Sequence, residues 1–264
     1  MLNPDNGLSP RPGLTEKLLL LLSRKPEADN YEASKDHWSV ETALRQFCAC
    51  FPGFLARTAG NEILDFGCGT GYQSVALARM GAKRVVGLDV NAQYINKACQ
   101  LAQDAGVADK VEFRDRFDDS FRGRFDVVTS QNSMEHFYNP AGALNQMKQA
   151  LKKDGVIFLT FGPPWFAPFG SHQQFFVRIP WINILFEEKT VMAVRRRFKN
   201  DGATRYEEAD LNKMTVKKFE TLIRDSALRM ESRRYDCVKR LNLLGKLPLI
   251  RELAVNQISC VLTR

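Results

Sequence analysis

The stretch Ile63-Leu64-Asp65-Phe66-Gly67-Cys68-Gly69-Thr70-Gly71 decides the fold. A short apolar run feeds three glycines at alternate positions, and a helical pattern follows over 72–80 until Gly81 stops it. Glycines permit positive φ and let a ligand lie against bare backbone. The next apolar run, Arg84 to Leu88, ends at Asp89, 18 positions after Gly71. In a strand–turn–helix unit such a carboxylate accepts hydrogen bonds from a pair of ribose hydroxyls. The dinucleotide spacing G-x-G-x-x-G would need glycine at 67, 69 and 72, and position 72 is Tyr. Asp65 would repel a pyrophosphate and attract an ammonium group. The turn therefore suits a nucleoside joined to an amino acid better than a dinucleotide.

Working outward, strands and helices alternate. Residues 92–105 carry Ile95, Ala98, Cys99 and Ala102 at helical spacing, with Gly106 beyond as a C′ residue. Val111–Phe113 and Phe125–Thr129 are strand candidates. Asn139-Pro140 is an N-cap and first-turn pair, and its helix places Leu144, Met147 and Leu151 on one face and ends in Lys152, Lys153 and Gly155. Val156–Phe161 is another strand. Continuous apolar strands alternating with helices predict a parallel sheet covered on both faces. Residues 163–213 interrupt the alternation with aromatics, prolines and then arginines, as an inserted lid would. A helix near 215–226 and strands near 229–236 and 256–263 follow. The expected divisions are a mobile tail at 1–13, an N-terminal helical cover at 14–59, a ligand-binding core at 60–162, the lid at 163–213 and closing elements of the same domain at 214–264.

The 264 residues are 44% hydrophobic and 26% charged, which fits a globular protein and excludes collagen-like and disulfide-scaffold classes. The formal charge is +8, and residues 187–264 alone carry a net +7. Such an excess admits a nucleic-acid face, an anionic membrane face or a solvated surface. The longest leucine run, Leu18 to Leu22, is far short of a membrane span, and no secretory signal pattern opens the chain. The six scattered cysteines read as reduced thiols, so a cytoplasmic location is expected, and Cys48-x-Cys50 lacks the second ligand pair of a zinc site.

The residues resemble the class I S-adenosylmethionine-dependent methyltransferases. The likeness runs in order through Asp65 to Gly71, Gly87-Leu88-Asp89-Val90, Phe125-Asp126-Val127-Val128, Met134-Glu135-His136-Phe137 and Leu151-Lys152-Lys153-Asp154-Gly155. Asp154 departs from the family, which often has Pro there. The resemblance implies an α/β fold, a doubly wound seven-stranded Rossmann-like methyltransferase sheet with the lid inserted after the fifth strand. It implies S-adenosylmethionine as cofactor. Asp65 would then lie near the amino group of the methionine moiety, and Phe66, Gly67, Cys68, Gly69 and Gly71 would form the turn beneath it. Asp89 would bind the ribose, with Val90 against the adenine. Asp115, with Arg116 beside it, falls where family members contact the adenine amino group, although Asp118 and Asp119 compete for that role. Asn132 would lie near the methionine portion.

A hydroxyl acceptor benefits from a general base. The three histidines are His37, His136 and His172, and the last two are the candidates, one after the fourth strand and one in the lid. Ser130-Gln131-Asn132-Ser133 replaces the Asn/Asp-Pro-Pro-aromatic motif of adenine methylation, and no Pro-Cys pair serves cytosine C5. A small-molecule or saccharide acceptor is therefore expected, with Glu135, Trp165, His172 and Trp181 at its site and Phe166, Phe169, Phe175 and Phe176 as further wall. The competing reading is an RNA methyltransferase or a non-catalytic nucleic-acid-binding module using the basic C-terminal third. Arg195-Arg196-Arg197 also reads as the solvated C-terminal end of a lid helix.

Overall fold

Strands covered on both faces must be apolar on both, and the centre of the sheet meets that condition. In the computed structural model, which describes residues 12–23, 39–173, 176–248 and 250–264, the strands fall where that pattern is strongest. They are β1 (Glu62–Phe66), β2 (Arg84–Leu88), β3 (Val111–Arg114), β4 (Phe125–Gln131), β5 (Leu151–Phe161), β6 (Arg229–Cys237) and β7 (Val255–Thr263). Their order across the sheet is β3-β2-β1-β4-β5-β7-β6. The first five are parallel. β7 runs antiparallel to β5, with Phe161 opposite Ile258, and β6 runs antiparallel to β7. Strand order reverses between β1 and β4, so the crevice at their carboxyl ends is the topological switch point where such sheets bind ligands.

The helices are α1 (Leu14–Leu22), α2 (Arg45–Cys50), α3 (Phe54–Thr58), α4 (Tyr72–Arg79), α5 (Ala92–Asp104), α6 (Pro140–Ala150), α7 (Ile182–Leu185), α8 (Glu188–Arg196), α9 (Val216–Asp225) and α10 (Arg251–Ala254). Side-chain caps fix three starts. Asn91 accepts from the Gln93 and Tyr94 amides, Asn139 from Gly142, and Thr215 from Lys218. α6 ends at Ala150, short of the Lys152-Lys153 end that the sequence suggests. Leu151 is extended and pairs with Phe125, so strand pairing takes it from the helix, and Lys152 to Asp154 form the exposed start of β5.

Two layers of side chains flank the sheet. Leu144 and Met147 from α6 and Phe219 and Ile223 from α9 pack with Val128 and Ile157 on one face. Phe47, Phe51 and Phe54 pack with Val75, Leu77, Ile63 and Phe158 on the other. A third cluster is the core of the lid, where Val177, Ile182, Val191, Met192, Val194 and Tyr206 gather. Leu19 of α1 is fully buried in that cluster, and Glu16 pairs with Arg197 at 2.8 Å. α1 thus belongs to the lid, whereas the sequence grouped it with α2 and α3. A leucine-rich face specifies burial but not which of two cores receives it.

The arginine triplet is also corrected. Arg195 is only 5% exposed, and its two terminal nitrogens hold both oxygens of Asp201 at 2.6 and 2.5 Å. Arg197 is tied to α1. These side chains build the lid and are not its solvated end. Lys213, Arg233, Arg234 and Arg251 are likewise paired with Glu188, Glu220, Asp236 and Glu220. Much of the C-terminal positive charge is therefore neutralised within the chain. Among the described residues no helix is long and apolar enough to cross a membrane.

Candidate functional site

The chain leaves β1 into the glycine turn with left-handed backbone. Gly67 has φ +78°, and a Cβ there would lie 2.7 Å from the Ser133 hydroxyl, so a side chain is excluded twice over. Gly69 has φ +53°, but nothing lies within 4 Å of its would-be Cβ, which leaves an open cradle over the backbone. The amides of Gly67 and Cys68 donate to the Leu88 carbonyl at 2.8 and 3.0 Å. Asp89 completes the brace. One carboxylate oxygen accepts from the Gly69 amide and the other from the Asn91 amide, both at 2.9 Å. The turn and the β2 end thus form one unit. A carboxylate has lone pairs remaining after two such bonds, and Asp89 is only half-buried.

Asp65 is placed differently. It is 2% exposed and accepts from Gln73 Nε2 (3.0 Å), Thr129 Oγ1 (3.2 Å) and Ser74 Oγ (2.6 Å). Burial pushes its carboxyl up to about 6 against the lowering effect of those hydrogen bonds. In this structure it braces the turn from beneath, with both oxygens engaged. Val90 is 89% exposed at the rim. Asp115 and Arg116 are exposed just past β3 and lie 3.6 Å apart.

The loop after β4 supplies the second wall. Asn132 has φ +49°, and its side-chain oxygen accepts from Thr160 and Gln257. Both amide atoms of Gln131 are buried without a partner among the described residues. Glu135 is buried, and one oxygen accepts from the Gly162 amide at 3.2 Å. The other has no partner among the described residues, and burial raises its carboxyl above the usual range. His136 is exposed, and its Nδ1 lies 2.7 Å from the Asp210 carbonyl. The carbonyl only accepts, so Nδ1 carries a proton, and in the neutral ring Nε2 is then the nitrogen with the lone pair. The His172 ring lies 5.2 Å from that of His136, with φ +55° and an unpartnered, buried Nε2. Burial, then the neighbouring His136, push His172 down to about 3.

Three further contacts fasten the lid to this loop. The Asn212 amide donates to the Glu135 carbonyl at 3.0 Å, and its side chain donates to the carbonyls of Met134 and Phe137, both at 2.8 Å. Asn212 and Asp210 carry no local sequence signal, because their roles depend on contacts with residues more than 70 positions away. Trp165 packs edge-on to Tyr206 beneath Lys213, and Trp181 donates its indole N–H to the Phe166 carbonyl at 3.1 Å. Both tryptophans therefore anchor the lid. His37 and Phe175 lie outside the described residues.

The cradle fits S-adenosylmethionine. The open face of Gly69 leaves room for the ligand, the half-buried Asp89 offers acceptors at the β2 end, and Gln131 and Glu135 hold unanswered polar atoms after β4.

Comparison with known proteins agrees with this geometry. A family model described as a methyltransferase domain matches residues 57–162. The ubiquinone biosynthesis O-methyltransferase of Actinobacillus pleuropneumoniae is 31% identical over 109 residues, covering 38% of this chain and 45% of that protein. Its namesake from Pseudomonas aeruginosa is 34% identical over 109 residues, covering 40% and 46%. The chain thus spans a little under half the length of these curated relatives. The geranyl diphosphate C-methyltransferase of Streptomyces coelicolor, solved with S-adenosyl-L-homocysteine, superposes with a TM-score of 0.55 at 16% identity, covering 94% of this chain and 88% of that one. That likeness shows the fold. Residues 57–162 of this chain are thus similar to a methyltransferase domain.

Proposed function

We propose that the protein is an S-adenosylmethionine-dependent O-methyltransferase acting on a small molecule or saccharide. The observation that carries this reading is the hydrogen bond from His136 Nδ1 to the Asp210 carbonyl at 2.7 Å, which leaves a basic nitrogen at the seam of core and lid. The name of the two curated relatives supports oxygen as the acceptor atom.

When bound, S-adenosylmethionine supplies an electrophilic methyl group on its sulfonium sulfur. Gly67, Gly69 and Gly71 let the methionine moiety and ribose lie on the backbone, flanked by Phe66 and Cys68. Asp89 would accept from the ribose hydroxyls, Val90 would cover the adenine, and Asp115 with Arg116 would meet its amino group. Asn132 would face the methionine portion. Asp65 acts through the turn, fixing its position from below.

His136 Nε2 takes the proton of the acceptor hydroxyl as its oxygen becomes nucleophilic. The Asp210 carbonyl fixes the tautomer and stabilises the imidazolium that results. His172, kept neutral by burial, lines the pocket and orients the acceptor without taking that proton. Glu135 forms part of the same wall, and Trp165 and Trp181 hold the lid over it. Much of the gain comes from orienting the acceptor and excluding water. Titration calorimetry with S-adenosylmethionine and with S-adenosylhomocysteine tests the foundation. Binding of both at one site per chain is expected, and binding of neither by folded protein overturns the reading.

A further inference from the structure

β6 and β7 are antiparallel neighbours, yet residues 238–254 separate them where two residues would close a hairpin. Cys237 pairs with Val255, and Ile258 lies opposite Phe161, so this insertion sits at the carboxyl end of the parallel strands. The glycine turn and the His136 loop leave the sheet at that same end.

The insertion is built with an inside and an outside. Leu244 packs on the core and Ala254 is buried within it. Leu241, Leu243, Leu247, Ile250 and Leu253 are exposed, Leu243 by 75%. The backbone is closed on itself by successive turns. Leu241 donates to Val238, Leu244 to Leu241, Leu247 to Leu244, and both Ile250 and Arg251 to Leu247. Exposed apolar side chains on a segment whose turns are bonded within the chain lose little on leaving water.

Charge selects the occupant. Lys239 and Lys246 are exposed beside the leucines, and the sequence holds no acidic residue from 238 to 251. The next one, Glu252, accepts from the amides of Val216 and Lys217 at 3.1 and 2.7 Å. A second copy would bring the same patch against itself in an isologous contact, setting lysines against lysines. An anionic bilayer satisfies both halves of the surface.

We propose that segment 238–254 docks the protein reversibly on an anionic lipid surface. The leucines enter the acyl boundary while Lys239 and Lys246 lie among the headgroups. This places the ligand-binding end of the sheet toward the bilayer, and it stands whether or not the reaction proposed above is correct.

Co-sedimentation of the full chain with vesicles tests it. The protein pellets with vesicles of phosphatidylcholine mixed with phosphatidylglycerol and stays in solution with phosphatidylcholine alone. Binding falls as salt rises. The Lys239→Gln, Lys246→Gln double variant binds about thirtyfold more weakly, since each lysine near an anionic leaflet contributes roughly fivefold. Leu243→Ser weakens binding about tenfold or more. These substitutions alter exposed side chains, and circular dichroism verifies the fold. Absence of pelleting with the anionic vesicles overturns the proposal, as does equal binding by folded variants. So does a concentration-dependent dimer that Leu243→Ser abolishes, which would assign the ridge to a second copy.

Discussion

Nδ1 of His136 is held 2.7 Å from the backbone carbonyl of Asp210, so a residue of the core loop is oriented by a residue of the lid. The two are 74 positions apart in sequence, and the bond sets which ring nitrogen is basic. His136→Gln is expected to lower kcat about a hundred- to ten-thousandfold, the usual contribution of a positioned base. Binding of S-adenosylhomocysteine should be unchanged, as calorimetry on the same sample would show.

Asn212 holds that seam through three hydrogen bonds to Glu135, Met134 and Phe137. Asn212→Ala should loosen the lid and leave the sheet intact. Faster amide hydrogen exchange confined to the lid and the His136 loop, with a raised KM for the acceptor, is the expected result.

Gly67 and Gly69 separate strain from ligand space. Gly67→Ala meets both a positive φ and the Ser133 hydroxyl, so it should destabilise the fold by about 2 kcal/mol or more. Gly69→Ala meets only the positive φ, so thermal unfolding should show about 1 kcal/mol of loss. Its methyl group would project into the cradle, and calorimetry should show the larger loss in S-adenosylhomocysteine affinity.

His172 makes the lid acid-sensitive. Its folded value of about 3 lies below the ordinary 6.5, so the unfolded chain binds the proton more readily. Its stabilising contribution is present above 6.5 and is lost as pH falls through the window from 6.5 toward 3. Asp65 has the opposite sign. Its folded value of about 6 lies above the ordinary 3.8, so its contribution falls as pH rises through that interval. Urea unfolding across pH should therefore shift one way in His172→Gln and the other way in Asp65→Asn.

The core of the fold was legible because its signals are local. The alternating glycines, Asp89 one strand later and the Asn139-Pro140 start each depend on a few neighbouring residues. The lid was legible only as an interruption. Whether Leu19 packs on the sheet or under the lid depends on Val177 and Val191, more than 150 positions away. Arg195 reads as a solvated charge until Asp201 folds back onto it. Trp165 and Trp181 matched the composition of a pocket wall, and their actual partners, Tyr206 and the Phe166 carbonyl, are tertiary. The charge of Asp65 is plain in the sequence, but Gln73, Ser74 and Thr129 decide where its oxygens point.

Mass spectrometry of products formed with methyl-labelled S-adenosylmethionine and a metabolite extract, run in parallel with the wild-type protein and His136→Gln, is the most direct test. The expected result is a labelled methyl ether or ester formed by the wild type and strongly diminished in the variant. A labelled methyl group on carbon or nitrogen, or undiminished product from His136→Gln, would contradict O-methylation with His136 as the base.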